Sequence, residues 1–72
     1  MKKDLSLIKK QTRMLFDELS EYMSSRNFNA ASAAYNELRG YLVGIYYTDA
    51  ITKNAYFLYS KLARAIYYKK EV

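Results

Sequence analysis

Residues 29–47, NAASAAYNELRGYLVGIYY, carry an apolar seam at the three- and four-residue spacing of an α-helix. The seam consists of Ala31, Tyr35, Leu38, Leu42 and Ile45, with Ala34 and Tyr41 beside it. Asn29 at the start of the stretch belongs to a residue type that caps helix N-termini. The pattern predicts an amphipathic helix over residues 29–47, which must bury its seam against other elements of the chain.

Similar stripes precede and follow this helix. The first predicts a helix over residues 4–25 and consists of Leu5, Ile8, Thr12, Leu15, Phe16, Leu19 and Met23. The last predicts a helix over residues 52–70, capped by Thr52, and consists of Ala55, Leu58, Leu62, Ala65 and Ile66. No segment alternates with the period of two that marks a strand. The sequence therefore predicts one all-α domain over residues 1–72, a three-helix antiparallel (up-down-up) bundle.

The residue types that most enzymes and metal sites use are missing. The 72 residues include no Cys and no His, which supply the ligands of zinc and iron sites. The carboxylates Asp17, Glu18 and Glu21 gather on the predicted solvent face of the first helix, where no pocket would raise a pKa. No base is placed to activate a Ser or Thr hydroxyl. We therefore predict a non-enzymatic protein without metal or cofactor.

The same composition bears on the compartment. A short secreted chain usually needs disulfides, and this chain has no Cys. Its basic start reaches further lysines after a few apolar residues, too few for the core of a signal peptide. The uncharged stretches are shorter than the ~20 residues that span a bilayer. We expect a cytoplasmic protein with no integral membrane segment.

Aromatic and basic side chains interleave on the predicted outer face of the third helix. The candidate partner-binding residues are Lys53, Tyr56, Phe57, Arg64, Tyr67 and Tyr68. Tyr and Arg are enriched in the hot spots of protein interfaces, so the pattern indicates a surface that binds another protein. Two alternatives remain open: the rings lie flat over a small core, or they are buried in a homodimer.

The charge distribution suggests nucleic acid as an alternative partner. Residues 1–13 and 50–72 each carry a net charge of +4, residues 14–49 carry −3, and the whole chain carries +5. Cations beside aromatic rings are typical of single-strand binding grooves. The alternative site consists of Lys9, Lys10, Arg13, Lys53, Lys61 and Arg64. A net charge of this size also serves solubility.

The chain has two glycines, Gly40 and Gly44, and both fall inside the second predicted helix. Each costs about 1 kcal/mol relative to Ala in a helix interior, so a use for them is expected. Small residues four apart allow another backbone to approach closely. The pair therefore indicates self-association, with a kink or crowding by neighbouring tyrosines as the alternative.

A pattern of spacing over about the last two thirds of the chain consists of residues 26–31 (RNFNAA), Tyr35, residues 38–42 (LRGYL), residues 51–52 (IT) and Tyr56. This pattern carries a resemblance to small helical proteins of bacterial phages and conjugative elements. The resemblance implies a cytoplasmic bacterial protein that binds a host protein stoichiometrically and inhibits or regulates it, for example a defence system or a replication or transcription factor.

The chain is also similar to the immunity proteins of pediocin-like bacteriocins, which are small, basic helical bundles without a cysteine framework. Those proteins have longer chains and four helices, whereas this sequence has room for three. This similarity implies bacteriocin immunity as a further alternative function.

Overall fold

The computed structural model describes residues 5–68, which form three α-helices. They are α1 (Leu5–Ser24), α2 (Phe28–Tyr47) and α3 (Lys53–Tyr68). Every helix contacts the other two, which confirms the predicted all-α three-helix bundle. The predicted helix ends near residues 25, 29, 47 and 52 lie within one residue of those observed. The predicted ends at residues 4 and 70 lie outside the described residues.

The core lies between α1 and α2 and is closed by α3. Its buried apolar residues are Leu15, Leu19, Ala31, Ala34, Tyr35, Leu38, Leu42, Ile45 and Ala63. The stripes predicted for the first two helices therefore face inward, with Ile8, Phe16 and Met23 packed against the core at its edge. Full burial of a leucine such as Leu38 contributes about 1.5–3 kcal/mol. The side chain of Leu5 lies outside those described.

Both interhelical turns place a non-glycine residue in the left-handed region. Arg26 has a φ of 60° and Asp49 a φ of 62°. After α1, the N–H of Asn27 donates to the carbonyl oxygen of Tyr22 (2.9 Å) and that of Arg26 to Met23 (3.2 Å). After α2, the same bonds join Ala50 to Ile45 (2.8 Å) and Asp49 to Tyr46 (3.1 Å). Both turns are Schellman motifs, which satisfy carbonyls at the helix ends.

The N-caps place the starts of α2 and α3. The carboxamide oxygen of Asn27 accepts the N–H of Ala30 (3.3 Å), so Asn27 and not the predicted Asn29 caps α2. Its position directly after the Schellman turn explains the difference, since the helix starts as soon as the chain has reversed. Thr52 caps α3 as predicted, because its hydroxyl accepts the N–H of Ala55 (3.1 Å).

The third helix is rotated relative to the sequence prediction. Leu58, Leu62 and Ala65, predicted to lie in the core, are exposed; Leu58 is 68% and Leu62 51% accessible. The residue of α3 that is fully buried is Ala63. Partly buried residues of α3 surround it on the inward face: Tyr56, Tyr59, Ile66 and Tyr67. The predicted third stripe is therefore wrong at its three central positions.

The rotation has a physical reason. Tyrosine rings bury more area than leucine side chains and stack on other rings, while their hydroxyl groups tolerate a wet edge. The small Ala63 between them lets the helix backbone approach the core closely, since its side chain is 0% exposed. When the tyrosines face the core, Leu58 and Leu62 face away from it, because the directions of all side chains around a helix are fixed relative to one another.

Matched substitutions at two alanines test this rotation. We predict that Ala63→Gln lowers the free energy of unfolding by about 1–3 kcal/mol or more, because it overpacks the core and buries an amide. Ala65→Gln is predicted to change it by less than about 0.5 kcal/mol, because Ala65 is exposed. Urea denaturation of the two variants makes the comparison. A larger loss of stability for Ala65→Gln than for Ala63→Gln would instead support the rotation that the leucine spacing predicts.

Candidate functional site

The six residues predicted to bind a partner do not form one face. Lys53, Phe57, Arg64 and Tyr68 are exposed. Tyr56 and Tyr67 are partly buried and pack against the core. The structure thus divides the predicted site between the outer and inner sides of α3.

The two inward tyrosines hold α3 against α2. Tyr56 stacks on Tyr46 with ring centroids 4.7 Å apart and an interplanar angle of 15°. Tyr67 stacks on Tyr35 at 4.5 Å and 5°. Aromatic pairs contribute about 0.5–1.5 kcal/mol beyond the area they bury. These rings therefore serve the fold, as one of the alternatives for the tyrosines expects.

The outward aromatic residues border these stacks. The Phe57 ring lies 5.8 Å from that of Tyr56, and the ammonium of Lys53 lies 5.8 Å from the centroid of Phe57. Tyr68 meets Tyr35 edge-on at 6.0 Å and still exposes half of its surface. Phe57 is 56% exposed. Both rings can therefore contact another molecule without leaving their places in the bundle.

Exposed leucines add an apolar stripe to this surface. Leu58, Leu62 and Ala65, which we term the leucine stripe, follow one another at spacings of four and three residues along α3. The outer face of α3, as the term is used below, consists of Lys53, Phe57, Leu58, Lys61, Leu62, Arg64, Ala65 and Tyr68. Single exposed leucines are common on protein surfaces, whereas a contiguous patch indicates an interaction site. Sequence reasoning assigned the stripe to the core and so missed it.

The outer face carries one sign of charge. The sequence of α3 contains Lys53, Lys61 and Arg64 and no Asp or Glu. All three cations are exposed. A surface that is both apolar and positively charged attracts an acidic partner and repels another cationic surface.

The alternative nucleic-acid site draws on α1 as well as α3. Lys9, Lys10 and Arg13 are exposed on α1, which packs against α3 through Phe16 and Tyr59 (ring centroids 5.9 Å apart). Two of the four rings predicted on the outer face, however, stack on α2. Fewer rings than expected are therefore free to stack on bases.

Gly40 and Gly44 lie on the exposed side of α2. A Cβ atom added at either position would meet no atom within 4 Å apart from neighbouring residues and backbone of α2 itself. Within residues 5–68, the packing of the bundle therefore does not require a glycine at these positions. Their role in self-association stays a prediction.

The described residues supply little for other kinds of site. Among residues 5–68, no group of three or more acidic, Cys or His side chains is arranged to hold a metal ion. Each buried side-chain N or O atom in that range has a hydrogen-bond partner. Thr12, for example, donates its hydroxyl to the carbonyl oxygen of Ile8 (2.8 Å). No described helix is long and apolar enough to cross a membrane.

Comparison with known proteins adds no relative: no family model, curated protein or solved structure matches the chain. The candidate site therefore depends on its own residues. The outer face of α3 combines exposed apolar side chains with cations and no Asp or Glu of the same helix.

Substitutions distinguish the aromatic residues that stabilise the bundle from those that lie only on its surface. We predict that Tyr56→Ser and Tyr67→Ser each lower the free energy of unfolding by about 1–3 kcal/mol, because each removes a partly buried ring and its stack. Phe57→Ser is the matched control, with an expected change below about 1 kcal/mol because Phe57 is exposed. Thermal unfolding followed by circular dichroism distinguishes the three. Equal losses would show that Phe57 is also a core residue.

The glycines allow a second stability test. Gly40→Ala and Gly44→Ala should each raise the free energy of unfolding by about 0.5–1 kcal/mol, because the new methyl group meets no atom of another helix and the unfolded chain loses freedom. Urea denaturation at a low and a tenfold higher protein concentration provides the measurement. A loss of stability that appears at the higher concentration alone would show that the glycines lie in a contact between copies.

Proposed function

We propose that this chain is a non-enzymatic protein-binding module that docks through the outer face of α3. The observation that supports this most directly is the leucine stripe. Leu58 and Leu62 lie one turn apart and expose 68% and 51% of their surface, whereas other residues of the same helix, such as Ala63, face the core. The core of the bundle does not include these two leucines. Under this proposal they become buried when a partner binds.

The energetics of such contacts are sufficient for binding. Full burial of a leucine or phenylalanine side chain contributes about 1.5–3 kcal/mol. The backbone that carries Leu58, Leu62 and Phe57 is already ordered in α3, so binding costs side-chain entropy but little backbone entropy. Arg64 and Tyr68 beside them belong to residue types enriched in hot spots. A protein surface is thus a better match than a nucleic acid, whose phosphates gain nothing from leucine side chains.

A binder without catalytic groups acts by occupancy. The chain would inhibit or regulate its target in proportion to the amount bound, as the resemblance to phage and conjugative-element proteins implies. Under this proposal the target is a host protein in the bacterial cytoplasm. Bacteriocin immunity stays an alternative prediction, which a leader-bearing peptide gene beside this one would favour.

Site-specific photo-crosslinking tests the proposed surface. With p-benzoylphenylalanine in place of Leu58, we expect discrete protein adducts in cells that encode the chain, because the residue would lie inside the interface. The same group in place of Asn36, which is exposed on α2, is the matched control and should give few adducts. Denaturing gels and mass spectrometry identify the products.

A second variant separates specific adducts from random ones. The pair Leu58→Gln and Leu62→Gln removes the apolar area and keeps helix propensity, so unfolding should change little. Added in excess, the unmodified chain should compete with crosslinking from position 58, and the double variant should not. Adducts at position 36 alone, or equal competition by both chains, would contradict the proposal, and nucleic-acid adducts would favour the alternative.

A further inference from the structure

The leucine stripe has the geometry of a helix-packing seam. Leu58, Leu62 and Ala65 are spaced by four and three residues, which is the spacing of a and d positions in a two-helix contact. Lys61 and Arg64 border the stripe on one side, and the partly buried Tyr59 and Ile66 border it on the other. Exposed apolar side chains at this spacing favour a helix of a protein as the occupant, because an amphipathic helix presents anchors with the same period.

The charges of α3 disfavour an antiparallel contact with a second copy through the leucine stripe. Such a contact would bring Lys61 and Arg64 close to the same cations of the other chain, with no Asp or Glu on either helix. Like charges that meet in an interface are unfavourable by amounts comparable to the gain from the leucines. An occupant with carboxylates beside its own seam converts the same cations into favourable partners.

We infer that the occupant is an acidic amphipathic α-helix, which packs its apolar seam along Leu58, Leu62 and Ala65 and sets Asp or Glu side chains beside Lys61 and Arg64. This inference rests on the proposed function and specifies the partner of the same surface. Phe57 and Tyr68 lie beside the seam and contact the rim of the bound helix. The 16 residues of α3 are about 24 Å long, which matches a partner segment of two to three heptads.

Two synthetic peptides of three heptads test the inference on the full chain. Both carry Leu at a and d; one carries Glu at e and g, and the other carries Lys there. Repulsion between the flanking charges keeps each peptide from pairing with itself. In fluorescence anisotropy at low salt, we expect the Glu peptide to bind at least tenfold more tightly than the Lys peptide. The preference should weaken as salt is added.

Variants of the chain assign the contact to the outer face. Leu58→Gln with Leu62→Gln should lower affinity for the Glu peptide at least tenfold, and circular dichroism and urea denaturation should show an intact fold. Met14→Gln is the matched control, because Met14 is as exposed on α1 as Leu62 is on α3, and it should bind normally. Lys61→Glu with Arg64→Glu should reverse the preference between the peptides.

Several results would overturn the inference. They are absence of binding to the Glu peptide, equal binding of both peptides, and unchanged affinity in the double leucine variant. Light scattering that shows a dimer abolished by the leucine substitutions would assign the stripe to a second copy. Sedimentation with phosphatidylserine vesicles, lost in the same variant, would assign it to a membrane. If position 58 gives protein adducts but the Glu peptide does not bind, the proposed function is supported and the inference of an acidic helix is wrong.

Discussion

Two stacked tyrosine pairs fix the rotation of α3, and the exposed surface of the protein depends on that rotation. Tyr46 holds Tyr56 near the start of the helix, and Tyr35 holds Tyr67 near its end. The two α3 rings are eleven residues apart, close to three full turns, and so lie on the same side. Ala63 between them is fully buried. With both ends fixed in this way, Leu58 and Leu62 can only lie on the side away from the core.

This arrangement also explains how a small bundle can leave leucines exposed. Among the described residues, α1 and α2 provide nearly all of the fully buried apolar side chains, and α3 adds Ala63. The third helix is therefore held largely by aromatic rings at its edge and not by a deep aliphatic seam. Such a helix gains stability from whatever binds its outer side, because a ligand of the folded state shifts the unfolding equilibrium.

The sequence predicts the first two helices well and the third incompletely, for reasons that particular residues show. In α1, Asp17 and Glu21 mark the solvent side, so the position of the core stripe is unambiguous. In α3, apolar side chains occur on every side, and a spacing argument that ranks Leu above Tyr selects the wrong one. What decides the rotation is the stacking of Tyr67 on Tyr35, a contact between residues 32 positions apart that no local pattern reveals. The left-handed Arg26 and Asp49 escape prediction because glycine is the usual residue at such positions.

The positive charge of α3 affects both aggregation of the free chain and the choice of a partner. An exposed apolar stripe on a small protein favours aggregation, and Lys61 and Arg64 oppose it because two copies that meet through this face repel each other. Under the proposed function the same charges favour an acidic partner, so one feature would both oppose aggregation of the free chain and favour binding of the partner. The predicted nucleic-acid site shares these residues, but leucines beside the cations would have to stay in water next to a phosphate backbone. A helix with carboxylates beside an apolar seam would bury the leucines and pair with the cations in the same contact. The apolar stripe and the absence of Asp and Glu from α3 therefore favour the same class of partner.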